Sequence, residues 1–233
     1  MQIAIMQPYF LPYIGYFQMI KAVDTFVFYD DVNFIKRGWI NRNRILVNQE
    51  AQYLTIPLKN ASQNKPINEI RRNQDTKEES KIIRTVELSY KKAPYFPEVF
   101  PLFERILKTS STFISEMAME SVKLLSGYLN LQTQFLISSE SFPETHSLER
   151  SKRLMEICHK LESKDYLNAI GGQEIYTKEQ FSAEGISLKF IQSNPITYPQ
   201  FGNDFIPWLS ILDVLMFNSP DKVNEMLDQY ELI

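Results

Sequence analysis

Cysteine occurs once in the 233 residues, at Cys158. No disulfide can form within the chain, and a reducing compartment is the expected setting. Two histidines, His146 and His159, together with that one thiol are too few for a structural zinc site, so no metal is expected. His159 directly follows Cys158, and adjacent helical residues face different directions, so the two do not form a nucleophile–base pair. Glycine is scarce too, at seven residues. Neither a GxGxxG fingerprint nor a P-loop can be written with them, and the turn after the first strand holds Gln7-Pro8 where a GxG would stand. NAD, FAD and P-loop chemistry are therefore disfavoured, and no cofactor is expected. With a formal charge of −3 the chain lacks the basic excess of a nucleic-acid binder. No apolar run approaches a membrane span, and Met1-Gln2-Ile3 has no basic leader. The expectation is a cytoplasmic protein without membrane insertion.

What the chain does have is carbon: 44% hydrophobic and 13% aromatic residues, enough to bury a core without staples. The N-terminus reads as strand (Ile3 to Met6), Tyr/Pro/Gly turn, apolar helix (about Tyr13 to Ala22) and strand (Thr25 to Tyr29). A hairpin is expected from Ile45 to Val47 and Gln52 to Ile56, turning at Asn48-Gln49-Glu50, then a polar loop at residues 61 to 68. Helical spacing marks Thr76 to Tyr90, about Glu98 to Leu107, and residues 112 to 129. The closing third alternates: strand Phe135 to Ser138, helix Ser147 to Leu161, strand Tyr166 to Ala169, helix Ile175 to Ala183, strand Ile186 to Ile191. Helices at about Pro207 to Phe217 and Pro220 to Tyr230 follow. Such alternation predicts an α/β fold: a Rossmann-like, mostly parallel five-stranded sheet with its switch point beside the first strand. The expected organisation is one domain over 1–233, with a hairpin and helical insertion at about 45–130.

Chemistry-bearing residues gather at the first two strand ends. Asp30-Asp31 closes the second strand, where a carboxylate of a parallel sheet faces the ligand crevice and can act as acid or base. Consecutive strand residues point to opposite sides, so one of the two is expected at the site. A helix cap or a salt bridge to Arg42 or Arg44 is the structural alternative. Trp39, Asn41, Arg42 and Asn43 offer a stacking surface beside bidentate donors, suited to a sugar or base flanked by phosphate, or else to a structural role. Gln7, Pro8 and Tyr9 occupy the first turn. Tyr13-Ile14-Gly15-Tyr16 has the glycine placement of HxGH nucleotidyltransferases with tyrosine at both histidine positions, and a neutral phenol is a poor stabiliser of transferred phosphate. Gly15 serves either close nucleotide approach or helix–sheet packing. Gly171-Gly172 before Tyr176 serves either ligand approach or a tight turn. Gln200 is a candidate polar contact, and Asp213, inside an apolar helix, needs a partner if buried, with the first-strand loop as one option.

Three ordered segments, QPYFLPYIGYFQMI, FVFYDDVNF and WINRNRI, together with YKKAPYF, YLNAIGGQEIY and YPQFGNDFIPWLSILDVLMFN, resemble the WbqC-like protein family over nearly the whole chain. The resemblance implies a place in O-antigen and surface-polysaccharide biosynthesis, with transfer of a glycyl or similar acyl group onto a sugar. The expected substrate is the amine of a nucleotide-linked amino-sugar, and the acyl donor is either a carrier-protein thioester or an activated amino acid. Asp31 or Asp30 would take the amine proton while Trp39, Asn41 and Arg42 orient the sugar. The alternative is a non-catalytic nucleotide-sugar binding or assembly protein. On either reading Gln7, Asp31, Asn41 and Arg42 should line one cavity.

Overall fold

The computed structural model describes residues 1–202 and 204–233. In chain order the elements open with β1 (Gln2–Met6), α1 (Ile14–Lys21), β2 (Thr25–Phe28), β3 (Arg42–Val47) and β4 (Glu50–Thr55). Next come β5 (Leu58–Lys59), β6 (Arg71–Arg72), α2 (Thr76–Tyr90), α3 (Phe96–Leu107), α4 (Ile114–Tyr128), β7 (Gln134–Ile137) and α5 (Ser138–Ser141). The chain closes with α6 (Arg150–Lys160), β8 (Asp165–Ala169), α7 (Lys178–Ala183), β9 (Ser187–Ser193), α8 (Ile211–Phe217), α9 (Pro220–Met226) and β10 (Tyr230–Leu232).

The fold is α/β, built on a mixed sheet of six strands in the order β10-β9-β8-β1-β2-β7. Five strands run parallel, and β10 lies antiparallel on β9 at the edge, Tyr230 opposite Ser193. The sixth strand departs from the five expected. Tyr230-Glu231-Leu232 reads as the tail of α9, yet the helix stops at Met226 and the chain turns back onto β9. Sequence order reverses beside β1: β2 and β7 lie to one side, β8 and β9 to the other. A crevice opens at the strand ends of such a switch point, because the connections on its two sides leave in opposite directions.

Strand side chains alternate between faces, and the core divides accordingly. Ala4, Phe26, Phe28 and Leu167 join the larger cluster with α1, α2, α3, α4 and α8. Ile3, Ile5, Val27, Tyr166 and Phe190 face the smaller one, with Leu154 and Cys158 of α6 and Phe181 of α7. Both faces are covered, which is why β2 is apolar at every position, Thr25 apart. Among the described residues no helix is long and apolar enough to cross a membrane.

Between β2 and β7 the chain inserts the hairpin, the short β5–β6 pair and helices α2 to α4. The hairpin starts three residues earlier than its apolar pattern suggests, pairing Arg42 with Thr55, and turns at Asn48-Gln49. Both turn residues have left-handed φ, 51° and 63°, which matches the twist of a two-residue hairpin loop. Residues 61 to 68, read as a polar loop, are tied down: the Phe34 N–H donates to Lys65 O at 2.9 Å and Ile67 is fully buried. Asp75 caps α2 by accepting from the Lys77 N–H at 2.9 Å, with Glu78 and Glu79 following in the first turn where the helix dipole favours acids.

The loop after β1 is pinned from several directions. Asn43 Nδ2 donates to Leu11 O (2.8 Å), Ser210 Oγ also donates to Leu11 O (2.7 Å), and the Phe10 N–H donates to Trp39 O (3.1 Å). These bonds hold the buried Leu11 at φ 44°, a conformation its side chain disfavours.

Candidate functional site

A cavity of about 590 Å³ opens over the carboxyl ends of β1, β2 and β8, at the switch point of the sheet. Gln7 and Tyr9 line it from the β1 loop, Tyr29, Asp31 and Asn33 from the end of β2, and Asn168 and Ala169 from β8. Gly171, Gly172 and Tyr176 close one side, and His146, Arg150 and Arg153 come from α6 and the segment before it. Its size suits a small organic ligand.

Asp31 and Arg153 form the buried electrostatic centre. Arg153 Nη2 lies 2.5 Å from Asp31 Oδ2, and both side chains are nearly inaccessible. The same guanidinium donates through Nε to Thr145 Oγ1 (3.0 Å) and sits 4.7 Å over the Tyr29 ring. Asp31 Oδ1 lies 2.6 Å from Ser138 Oγ. The partner of Asp31 is thus Arg153, 122 residues away, and neither Arg42 nor Arg44. Asp30 meets the same hydroxyl, with its Oδ1 3.0 Å from Ser138 Oγ. It accepts from the Ser139 N–H (3.1 Å) and Ser139 Oγ (2.7 Å) and tethers the start of α5.

Around this pair the cavity is lined by phenols. Burial pushes Tyr9 up to about 12, with nearby Tyr13 reinforcing it, and burial likewise raises Tyr29 and Tyr176. All three are neutral hydrogen-bonding groups at physiological pH. Arg150, at the start of α6, has no ion-pair partner within 4 Å among the described residues. With Asp31 neutralised by Arg153, Arg150 leaves the cavity a surplus of positive charge, which suits an anionic group on the ligand. Gly172 packs closely on Asn168, whose side chain a Cβ there would approach to 2.9 Å and displace.

The remaining sequence candidates lie elsewhere. Asn41 donates to Ile56 O (2.8 Å) inside the hairpin. Arg42 donates to the Arg37 and Gly38 carbonyls and stacks 4.2 Å over Tyr53. Neither lines the cavity with Gln7 and Asp31. Arg42 opens a strand and Asn41 directly precedes it, a register the apolar pattern does not announce. Asn43 is buried as a staple of the β1 loop, and Trp39 and Tyr13 line a separate cleft beside Arg44 and Trp208. Gly15 seats the Tyr13 ring, whose Cε2 would be 2.4 Å from an added Cβ. Pro8 is buried in the turn, and Tyr16 packs on Tyr9 while donating to Gln7 O at 2.8 Å.

Asp213 and Gln200 form a distant hub. Asp213, fully buried, accepts from Tyr90 Oη (2.7 Å), Tyr198 Oη (2.7 Å) and Gln200 Nε2 (2.8 Å). Tyr90 Oη in turn accepts from the Leu46 N–H. The hub thus joins α8, α2, the hairpin and residues 198–200, and Asp213 makes no bond to the β1 loop. Burial raises its pKa above the ordinary carboxylate range against the lowering effect of these three bonds.

Sequence reasoning missed Arg153, Tyr29, Asn168, His146 and Arg150. A signal for Arg153 exists: it falls on the same helical face as Leu154, Ile157 and Cys158, and a cation on an apolar stripe implies a buried anion.

An α/β protein with a cationic, tyrosine-walled crevice at its sheet reversal is what the fold and cavity define. The chain belongs to the WbqC-like protein family, whose model matches residues 7–225. It is similar to "Uncharacterized protein Rv1507c" of Mycobacterium tuberculosis (strain ATCC 25618 / H37Rv), at 27% identity over 221 residues and 93% of each chain. No solved structure matches it.

Proposed function

We propose that the crevice binds a nucleotide-linked amino-sugar and that the protein transfers a glycyl or similar acyl group to the sugar amine during surface-polysaccharide precursor assembly. The sheet serves as a Rossmann-like ligand cradle. The observation that carries this reading is that the oriented Asp31 carboxylate and Arg150, which has no ion pair among the described residues, line one cavity at the switch point. Arg150 meets a phosphate oxygen, Tyr29 and Tyr176 give the sugar apolar walls with hydroxyl tips, and Asp31 faces the amine.

In the reaction the amine lone pair attacks the acyl carbon and a C–N bond forms. The bond from that carbon to its carrier breaks, and the leaving group takes the electron pair. The amine proton passes to Asp31 and from there to the departing thiolate or phosphate. Arg153 and Ser138 fix Asp31 in place, each using one lone pair of a carboxylate that has others free. A thioester on a carrier protein and an activated amino acid both satisfy this balance.

A second reading is a non-catalytic nucleotide-sugar binding protein, favoured by the fact that both oxygens of Asp31 already have partners. Thermal shift against UDP-sugars with and without an amino group, followed by mass analysis of glycyl products, tests both. The enzyme reading requires a ligand-dependent rise in melting temperature and a product that Asp31→Asn abolishes while binding persists. Binding without product in the parent protein supports the second reading. No stabilisation by any sugar nucleotide removes both.

A further inference from the structure

Trp39 and Trp208 are the only two tryptophans of the chain. They meet along one cleft of about 400 Å³ beside Tyr13 and Arg44, away from the Asp31–Arg153 pair. Both indoles are open to solvent, Trp39 by 39% and Trp208 by 62%. Core packing therefore does not account for either.

Trp208 stands out further because its backbone is left-handed, φ 62°. Glycine is the easy residue there, and a bulky aromatic costs strain. The surroundings enforce that strain: Arg44 Nη2 donates to Trp208 O (2.9 Å), and two residues on the Ser210 N–H donates to Arg44 O (2.8 Å). The fold thus holds an exposed indole against its backbone preference, over the Tyr13 ring at 6.2 Å between centroids. Arg44 keeps a buried Nε without any hydrogen-bond partner and has no ion pair among the described residues.

The geometry points to a second ligand subsite in this cleft, one that takes a pyranose ring stacked on the tryptophans with a ring hydroxyl or carboxylate oxygen on Arg44. The polar inventory favours a sugar over a nucleobase. Reading a base edge needs a free amide or carboxylate, and the Asn43 amide is consumed by Phe10 O, Leu11 O and the Arg44 N–H. What remains is aromatic carbon, the phenols of Tyr9 and Tyr13 and one guanidinium, which match the C–H face and the hydroxyl-bearing rim of a pyranose. The positive charge of Arg44 makes an acidic sugar the better fit. Tyr9 lines both this cleft and the larger crevice, so a ring held here would adjoin a ligand bound at Asp31. The subsite does not depend on the acyl-transfer reading.

The chain carries its own test, since both tryptophans line this cleft and Trp39, unlike Trp208, lines no other cleft among the described residues. Glucuronate, N-acetylglucosamine and uridine monophosphate are titrated into the full-length protein and into Trp208→Gly, Trp39 remaining as the reporter in the variant. The expected result is a saturable emission change with both sugars, tighter for glucuronate, and none with the nucleotide. Trp208→Gly should weaken sugar binding by roughly tenfold and leave the melting temperature unchanged or higher, because glycine adopts that φ freely. Asp31→Asn should titrate with the sugars as the parent does, which separates this subsite from the reaction proposed above. An emission response to uridine monophosphate equal to that of the sugars would overturn the inference. So would the absence of saturation up to the solubility limit, or equal affinity in Trp208→Gly.

Discussion

Replacing Arg153 with methionine isolates what the buried ion pair contributes. Methionine fills much of the same space but leaves Asp31 without its cation, at a position where the carboxylate is only 6% exposed. Three interactions disappear together: the 2.5 Å bond to Asp31, the 3.0 Å bond to Thr145 and the stack over Tyr29. Both bonds are donated by the guanidinium and each contributes about 1.5–3 kcal/mol, and a desolvated cation over a ring adds up to about 2. Orphaning one member of a buried pair costs about 3–5 kcal/mol, which the itemised losses reach or exceed. For a chain of this length that corresponds to a drop of roughly 6–20 °C in melting temperature, readable by calorimetry or by urea unfolding followed by circular dichroism. The pairing itself is tested by adding Asp31→Asn. The double variant should be more stable than Arg153→Met alone by about 1 kcal/mol, since the stranded charge is then gone. A single variant within about 2 °C of the parent, or a double variant that melts no higher than the single, would refute the assignment.

Two further outcomes follow from residues outside the crevice. Arg42→Lys should lower stability by about 1 kcal/mol because lysine cannot bond two carbonyls and stack on Tyr53 at once, while sugar-nucleotide affinity measured by calorimetry stays as in the parent; a selective loss of affinity would move Arg42 into the site. Asp213, whose folded pKa is raised above its unfolded value, supplies stability that is full at low pH and fades as pH rises through the raised pKa. The stability difference between the parent and Asp213→Asn should therefore widen as pH falls from 7 toward about 4.5, read from urea midpoints of both proteins, and a narrowing gap would contradict it.

The strand–helix alternation could be read from the sequence because it rests on local periodicity: β1, α1 and β2 fall where the apolar residues of Ile3 to Tyr29 place them, and α2 at Thr76 to Tyr90 matches its helical stripe. Gln7 and Asp31 could be placed at one cavity from strand ends alone. Elements whose existence depends on distant partners were not visible in this way. The edge strand β10 needs β9 to pair with, and its three residues carry no period of their own. α8 begins at Ile211 rather than at Pro207 because Trp208 takes a left-handed turn that only its bond to Arg44 explains. Arg42 looks like a ligand fork in sequence, whereas the hairpin register lays it on Tyr53. The Asp31 cation lies 122 residues downstream, whereas the nearby Arg42 and Arg44 were the partners that sequence proximity suggested.

The pinned loop after β1 has a consequence for the order in which the protein comes into being. Leu11 is synthesised long before the hydroxyl that fixes its carbonyl, which belongs to Ser210, 199 positions later. Gln18, in the helix that follows, likewise waits for the carbonyls of Met226 and Gln229. A nascent chain can form β1, α1 and β2 early, but the loop that carries Gln7 and Tyr9 into the crevice has its full set of anchors only after Ser210 has been made. The conformation of this crevice loop therefore depends on a contact that no fragment ending before Ser210 could make.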